Sequence, residues 1–313
     1  MSSSVDKSVG ICSTFDSGNI KLVGPISVAS GVHNVPLEII PEMFTEVDGR
    51  AHFQWYHFRA SGVKDKKCCF KIVNAGKASY PDAYIGYQSC ASYDRKYWFR
   101  VPDTVYNKTN GELCFEHTPV QDLCYYAYFA PYSMEQHADL VAWAGTTGLA
   151  SVRTIGYTCD GYPLDMVTAG TGPKKLWVIA RQHPGESMAE WWMDGFLHRL
   201  LDAHDPMARK LLEEATFHVV PNMCPDGSRR GHLRTNARGR NLNREWKTPC
   251  PENSPEVFHV LREMADLGCD FNLDVHGDEE LPYNFIAGSE GIPGTPSPST
   301  SPLCSVYVIL FVE

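Results

Sequence analysis

The feature that most constrains the fold is a run without a polar residue, Leu176-Trp-Val-Ile-Ala180, followed within a few residues by a long amphipathic segment. An uninterrupted apolar run of strand length suits a strand buried on both faces of a sheet. From Glu186 to Ala203, the residues Ala189, Met193, Phe196, Leu197, Leu200 and Leu201 recur at helical spacing and mark one apolar face. The alternation continues downstream. Phe217-His-Val-Val220 reads as a strand, Pro255 to Leu267 as a helix stopped by Gly268, and Phe271-Asn-Leu-Asp-Val275 as a further strand. Upstream, Val152–Tyr157 and Pro163–Thr168 flank Asp160-Gly161, a hairpin signal. Strands alternating with helices predict an α/β layer with a mostly parallel central sheet.

The text before this layer is different. From about Ile20 to Ala130, short aromatic and β-branched runs such as Ala51–Phe58, Cys68–Val73 and Tyr125–Phe129 alternate with turn signals at Asn74-Ala-Gly76, Asp103 and Asn110-Gly111. Regularly spaced short strands predict an antiparallel β-sandwich. The expected organisation is a flexible N-terminus over 1–19, a sandwich and its helical connector over 20–144, and an α/β domain over 145–290. A Pro- and Ser-rich stretch and an apolar tail follow over 291–313, and these read as foreign to the domain.

Composition narrows the classes of function. The chain has 313 residues and a net charge of −9, which argues against a general nucleic-acid or membrane-surface binder. The longest apolar run, Leu303–Val312, is about half of the roughly 20 residues that span a bilayer. No basic segment leads an apolar core at the N-terminus, and the 11 cysteines follow no framework spacing. A cytoplasmic enzyme with reduced thiols is expected. Nothing in the sequence sets an oligomeric state.

Three motifs fall after predicted strands, where α/β sheets place their ligands. In His183-Pro-Gly-Glu186 an imidazole comes from a loop and a carboxylate from the first turn of a helix. A catalytic zinc takes three such ligands and keeps one position open. By itself the pair equally describes a surface histidine and a helix-start glutamate favoured by the dipole. His276, in Asp274-Val-His-Gly-Asp278, lies 90 residues after Glu186 and supplies a candidate third ligand, with acidic neighbours to orient its ring. The third motif runs from Asn222 to Trp246 and holds Arg229, Arg230, Arg234, Arg238, Arg240 and Arg244, beside Asn241 and Asn243. It reads either as a solvated basic loop or as guanidinium forks for a carboxylate.

His183-Pro-Gly-Glu186, Arg234, Asn243-Arg244 and His276 resemble, in order and spacing, the zinc metallocarboxypeptidases, and within them the cytosolic carboxypeptidases that trim glutamates. The resemblance runs from about Ile20 to Gly291 and extends to Asn74–Tyr80, Ala91–Asp94 and Tyr128–Tyr132 in the sandwich. It implies one zinc on His183, Glu186 and His276, Arg234 at the developing oxyanion, and Asn243 with Arg244 on the terminal carboxylate. The implied substrate is a peptide or protein C-terminus, and the arginine run suits an acidic one. Cys224 departs from the family, which usually has Asn before Pro-Asp-Gly.

Such enzymes also need a glutamate base, which in the family lies well downstream of the third ligand. Glu279, Glu280, Glu290 and Glu313 are the glutamates that follow His276, and none stands in a family-like context. The expectation is impaired hydrolysis by this chain, with loss of the side-chain specificity pocket. Two alternatives stay open: a non-catalytic zinc module that binds acidic C-termini, and an aspartoacylase-like amidohydrolase.

Overall fold

The computed structural model describes residues 4–5, 8–45, 51–281, 283–287 and 304–310, the first and last of these ranges by their backbone alone. The Pro/Ser stretch, Glu290 and Glu313 lie outside the described residues. Two compact units are present. One comprises Met1–Pro131 with Arg229–Arg234, the other Tyr132–Ser228 with Thr235–Glu313.

The first unit is built from two sheets. One runs in the order Ser4–Val5, Ser27–Ala29, Val32–Glu38, Lys67–Ile72, Glu112–His117, Thr104–Asn107, with Lys21–Leu22 also paired to Val32–Glu38. The other runs Gly10–Cys12, His57–Ser61, Leu123–Ala127, Cys90–Ser92, Phe99–Arg100. Inward-facing aromatics make the core. Phe70 and Phe115 of the first sheet meet Phe58 and Tyr126 of the second, with ring centroids 4.6 Å apart for Phe70 and Tyr126 and 5.6 Å for Phe58 and Phe70. All four are fully buried, as two apolar sheet faces require. Two expectations need correction. Val32–Glu38 and Lys67–Ile72 pair in parallel, so the sandwich is not wholly antiparallel. The N-terminal residues from Ser8 to Asn19 are tied in rather than loose: Gly10–Cys12 pairs with His57–Ser61, and Asn19 bridges His57.

In the second unit a seven-stranded sheet has the order Ala150–Tyr157, Pro163–Ala169, Ala215–Val220, Lys174–Ala180, Phe271–Gly277, Cys304–Leu310, Phe285–Ala287. Only its centre is parallel. Lys174–Ala180 lies parallel to Ala215–Val220 and to Phe271–Gly277, which is parallel to Cys304–Leu310. Both flanks are antiparallel, so "mostly parallel" holds for the core strands and not for the sheet. The apolar tail thus adds a strand to this sheet through its backbone. Trp177, Ile179 and Ala180 are completely buried, as their apolar run demanded. The helix Ser187–Leu200 packs on the sheet through Ala189, Met193, Leu197 and Leu200. The helix Met134–Thr146, read as a connector, belongs to this unit and starts at a capping box, Ser133 with Gln136. The helices Pro206–Glu214 and Pro225–Arg230 were not anticipated; the first is short but amphipathic and capped by Asp205, and the second spans only six residues.

Candidate metal centre

Register explains why candidate ligands far apart in sequence meet. Lys174–Ala180 and Phe271–Gly277 are parallel neighbours with Ala180 opposite Val275, so the loop after the first strand and His276 share one sheet edge. His183, Glu186 and His276 each offer a ligand atom there, and these atoms all lie within 4.8 Å of one another. All three residues are about 95% buried or more, at 5%, 3% and 5% exposure.

The orientation of the rings is what makes the trio suited to a metal. Nδ1 of His183 lies 2.7 Å from Glu186 Oε1, and Nδ1 of His276 lies 2.8 Å from Oε2. Gly277 N–H also donates to Oε2, at 3.0 Å. The far edges of both rings face acceptors. Nε2 of His183 is 3.1 Å from Asn241 Oδ1, and Nε2 of His276 is 3.0 Å from Asp274 Oδ2. With protons on Nε2, both Nδ1 lone pairs converge where the carboxylate points, which is the donor set a divalent ion takes. Burial opposes charge on Glu186, yet the two imidazoles outweigh it and hold the carboxyl below the usual range. Burial likewise disfavours the His276 cation, but the Asp274 and Glu186 carboxylates push its pKa well up.

Asp274 was the one supporting residue the sequence suggested, as an acidic neighbour that orients the His276 ring; the others were not legible. Gln182 Nε2 donates to Asp274 Oδ2 at 2.6 Å, and Gln182 Oε1 accepts from Trp246 Nε1 at 2.6 Å. Asn241 caps the turn Leu242–Arg244 by accepting from Asn243 N–H at 3.0 Å. Asn243 and Arg244 therefore ride on a turn whose cap touches His183. Arg244 is exposed, with Nη1 donating to Asn243 O at 3.0 Å. Arg234 belongs to the segment that packs with the first unit. There Glu42 Oε1 accepts from the N–H of Leu233 at 2.7 Å and of Arg234 at 3.1 Å, and the guanidinium lies 5.6 Å from the Tyr80 ring centroid. Cys224 is buried, and its N–H donates to Asn222 Oδ1 at 2.9 Å. Glu280 is exposed and Glu279 half-buried.

Cys159, Asp226 and Glu256 also bring ligand atoms within 4.8 Å of one another. Asp226 is already engaged by Thr158 Oγ1 at 2.6 Å and Asp160 N–H at 2.9 Å. That trio has no oriented imidazole, so it is the weaker donor set.

Known proteins carry the same arrangement of domains. The family model for the cytosolic carboxypeptidase N-terminal domain matches residues 11–129, and that for zinc carboxypeptidase matches residues 141–279. A crystal structure of a metallo-carboxypeptidase from Burkholderia cenocepacia is similar at 44% identity and a TM-score of 0.85, covering 92% of this chain and 76% of that one. A metallo-carboxypeptidase from Pseudomonas aeruginosa, in complex with (2-guanidinoethylmercapto)succinic acid, is 44% identical with a TM-score of 0.83, covering 92% and 75%. A Zymomonas mobilis protein is 46% identical over 284 residues, which are 90% of this chain and 71% of that protein. Human cytosolic carboxypeptidase 1 is 26% identical over 88% of this chain, which spans only 26% of the human protein.

Proposed function

Since the chain belongs to the zinc carboxypeptidase family and carries the N-terminal domain of the cytosolic carboxypeptidases, we propose that it acts in the cytoplasm on the C-termini of peptides or proteins, with one zinc on His183, Glu186 and His276. The observation that carries this reading is the convergence of both Nδ1 atoms on the Glu186 carboxylate, with each Nε2 facing its own acceptor. Zinc, when bound, supplies Lewis-acid polarisation of the scissile carbonyl and acidifies a water molecule.

The remaining work falls to the chain's own side chains. Arg234 stabilises the charge that develops on the carbonyl oxygen, while Asn243 and Arg244 grip the free carboxylate, the guanidinium by a two-pronged hydrogen bond. The succinic acid derivative carried by the Pseudomonas protein supports such a grip, since it too offers carboxylates. The six arginines from 229 to 244 favour acidic ends such as glutamate by offsetting the repulsion within a polyglutamate segment. Among the described residues after His276, Glu279 and Glu280 follow the third ligand too closely to act as the base. The arginine run from 229 to 244 also admits, as a second reading, a module that binds acidic C-termini without cutting them. The N-terminal domain match weighs against an aspartoacylase-like activity.

The test is release of glutamate from a polyglutamate-ended peptide by zinc-loaded protein, with and without chelator, beside an N-acyl amino acid. Chelator-sensitive glutamate release is expected. Binding without any release favours the second reading, and release from the acyl amino acid alone overturns both.

A further inference from the structure

At the end of the strand Lys174–Ala180 the backbone enters the left-handed region at Arg181, where φ is +53°, a conformation that a long side chain adopts only when its surroundings impose it. The side chain turns inward and is 1% exposed. A charged group that deep must be neutralised and hydrogen-bonded on all sides. Its Nε donates to Pro184 O at 2.8 Å, while Nη1 donates to Tyr132 O at 2.8 Å and to Glu190 Oε2 at 2.7 Å. Glu190, completely buried one turn after Glu186, also receives Asn222 Nδ2 at 3.0 Å on Oε2 and has His137 Nδ1 2.7 Å from Oε1. The main chain of Arg181 reaches the other side: its N–H donates to Val275 O at 3.3 Å, one residue before His276.

One residue therefore holds both ligand-bearing segments. Its guanidinium fixes the carbonyl between His183 and Gly185 and ties it to the helix that Glu186 begins; its amide fixes the strand that delivers His276. We propose that Arg181, with Glu190 as its counter-ion, is the positioning residue for the metal trio. It sets the spacing of His183 and Glu186 through Pro184 rather than by touching metal or substrate. The proposal rests on the metallopeptidase reading and extends it to a pair that carries no ligand atom.

Fork geometry is the point that can be tested. A lysine at 181 keeps the charge but presents one nitrogen, which cannot serve Pro184, Tyr132 and Glu190 in the directions a planar guanidinium does. Arg181→Lys should weaken zinc binding about 10- to 100-fold, measured by competition with a chelating indicator, as is usual when a supporting partner of a ligand is lost. The visible spectrum of the cobalt(II)-substituted protein should change as well, whereas circular dichroism of the metal-free protein stays as in the unmodified chain. If Arg181→Lys fails to fold, Glu190→Gln, which keeps the shape of the counter-ion and removes its charge, should still weaken zinc about fivefold or more. Affinity within threefold of the unmodified protein, with the same cobalt spectrum, overturns the proposal for whichever variant folds. Absence of zinc from the unmodified protein overturns instead the metallopeptidase reading on which this one rests.

Discussion

Oδ1 of Asn241 stands 3.1 Å from Nε2 of His183 and accepts the N–H of Asn243 at 3.0 Å, so one amide oxygen joins the His183 ring to the turn that carries Asn243 and Arg244. Removing that oxygen frees His183 to swap the proton between its nitrogens, and the tautomer with Nδ1 protonated cannot ligate. Asn241→Leu should therefore raise the zinc dissociation constant at least tenfold, while Asn241→Asp, which keeps an acceptor, stays near the unmodified value. Chelator competition on the purified variants reads both. Equal affinity for the leucine and aspartate variants would remove this role.

Zinc should also stabilise the fold, because the trio is assembled only in the native state. At a free zinc concentration 100 times the dissociation constant the gain is about 2.7 kcal/mol. His276→Ala removes one of three donors, so its unfolding temperature should no longer respond to zinc. The comparison is a pair of thermal melts for each protein, with zinc and with chelator. A zinc-dependent rise that survives His276→Ala would place the ion elsewhere, for instance among Cys159, Asp226 and Glu256.

Arg234 and Arg244 should separate in their effects. Losing a donor to the developing oxyanion commonly costs about 3 kcal/mol in the barrier, so Arg234→Ala lowers turnover about 100-fold with little change in binding. Charge-assisted hydrogen bonds to a carboxylate contribute about 1.5–3 kcal/mol, so Arg244→Ala weakens binding of a succinate-type dicarboxylate about 10- to 100-fold by calorimetry. The opposite pattern would exchange the two roles.

The candidate ligands were legible in the sequence, and apart from Asp274 their scaffolding was not, for a physical reason. His183 and Glu186 share one loop, and His276 ends a run that alternation marks as a strand, so residue type and local pattern suffice to single them out. Arg181 and Glu190 sit in the same stretch, yet nothing local distinguishes a buried ion pair from two solvated charges; that depends on Tyr132, His137 and Asn222, which the fold brings in from elsewhere. Gln182 is similar, its significance set by Asp274 and Trp246. Strand existence followed from apolar runs such as Leu176–Ala180, but direction did not, because periodicity carries no sign: the parallel pairing of Val32–Glu38 with Lys67–Ile72 went unforeseen. The attachment of Arg229–Arg234 to the first unit likewise depends on backbone contacts to Ser17, Asn19 and Glu42, which leave no trace in composition.

Glu256 offers a test of stability that does not involve the metal. It lies in the first turn of the helix Pro255–Leu267 with no exposed surface. Burial pushes its carboxyl up to about 8, and the nearby Asp226 and Asp160 carboxylates add to the rise, against the opposing amide of Asn236. In the unfolded chain the same group titrates near 4.5. Between these values the folded state keeps a proton that the unfolded state has released, so stability is full below about pH 4.5 and is lost as pH rises towards 8. The slope in that window approaches about 1.4 kcal/mol per pH unit for this one group. Glu256→Gln copies the protonated side chain at every pH and should flatten the profile. Its advantage over the unmodified protein should grow from near zero at acidic pH to about 5 kcal/mol at mildly alkaline pH. Urea unfolding of both proteins across the window measures the difference directly. Parallel profiles would mean that Glu256 is ionised in the fold, with a compensating cation beside it.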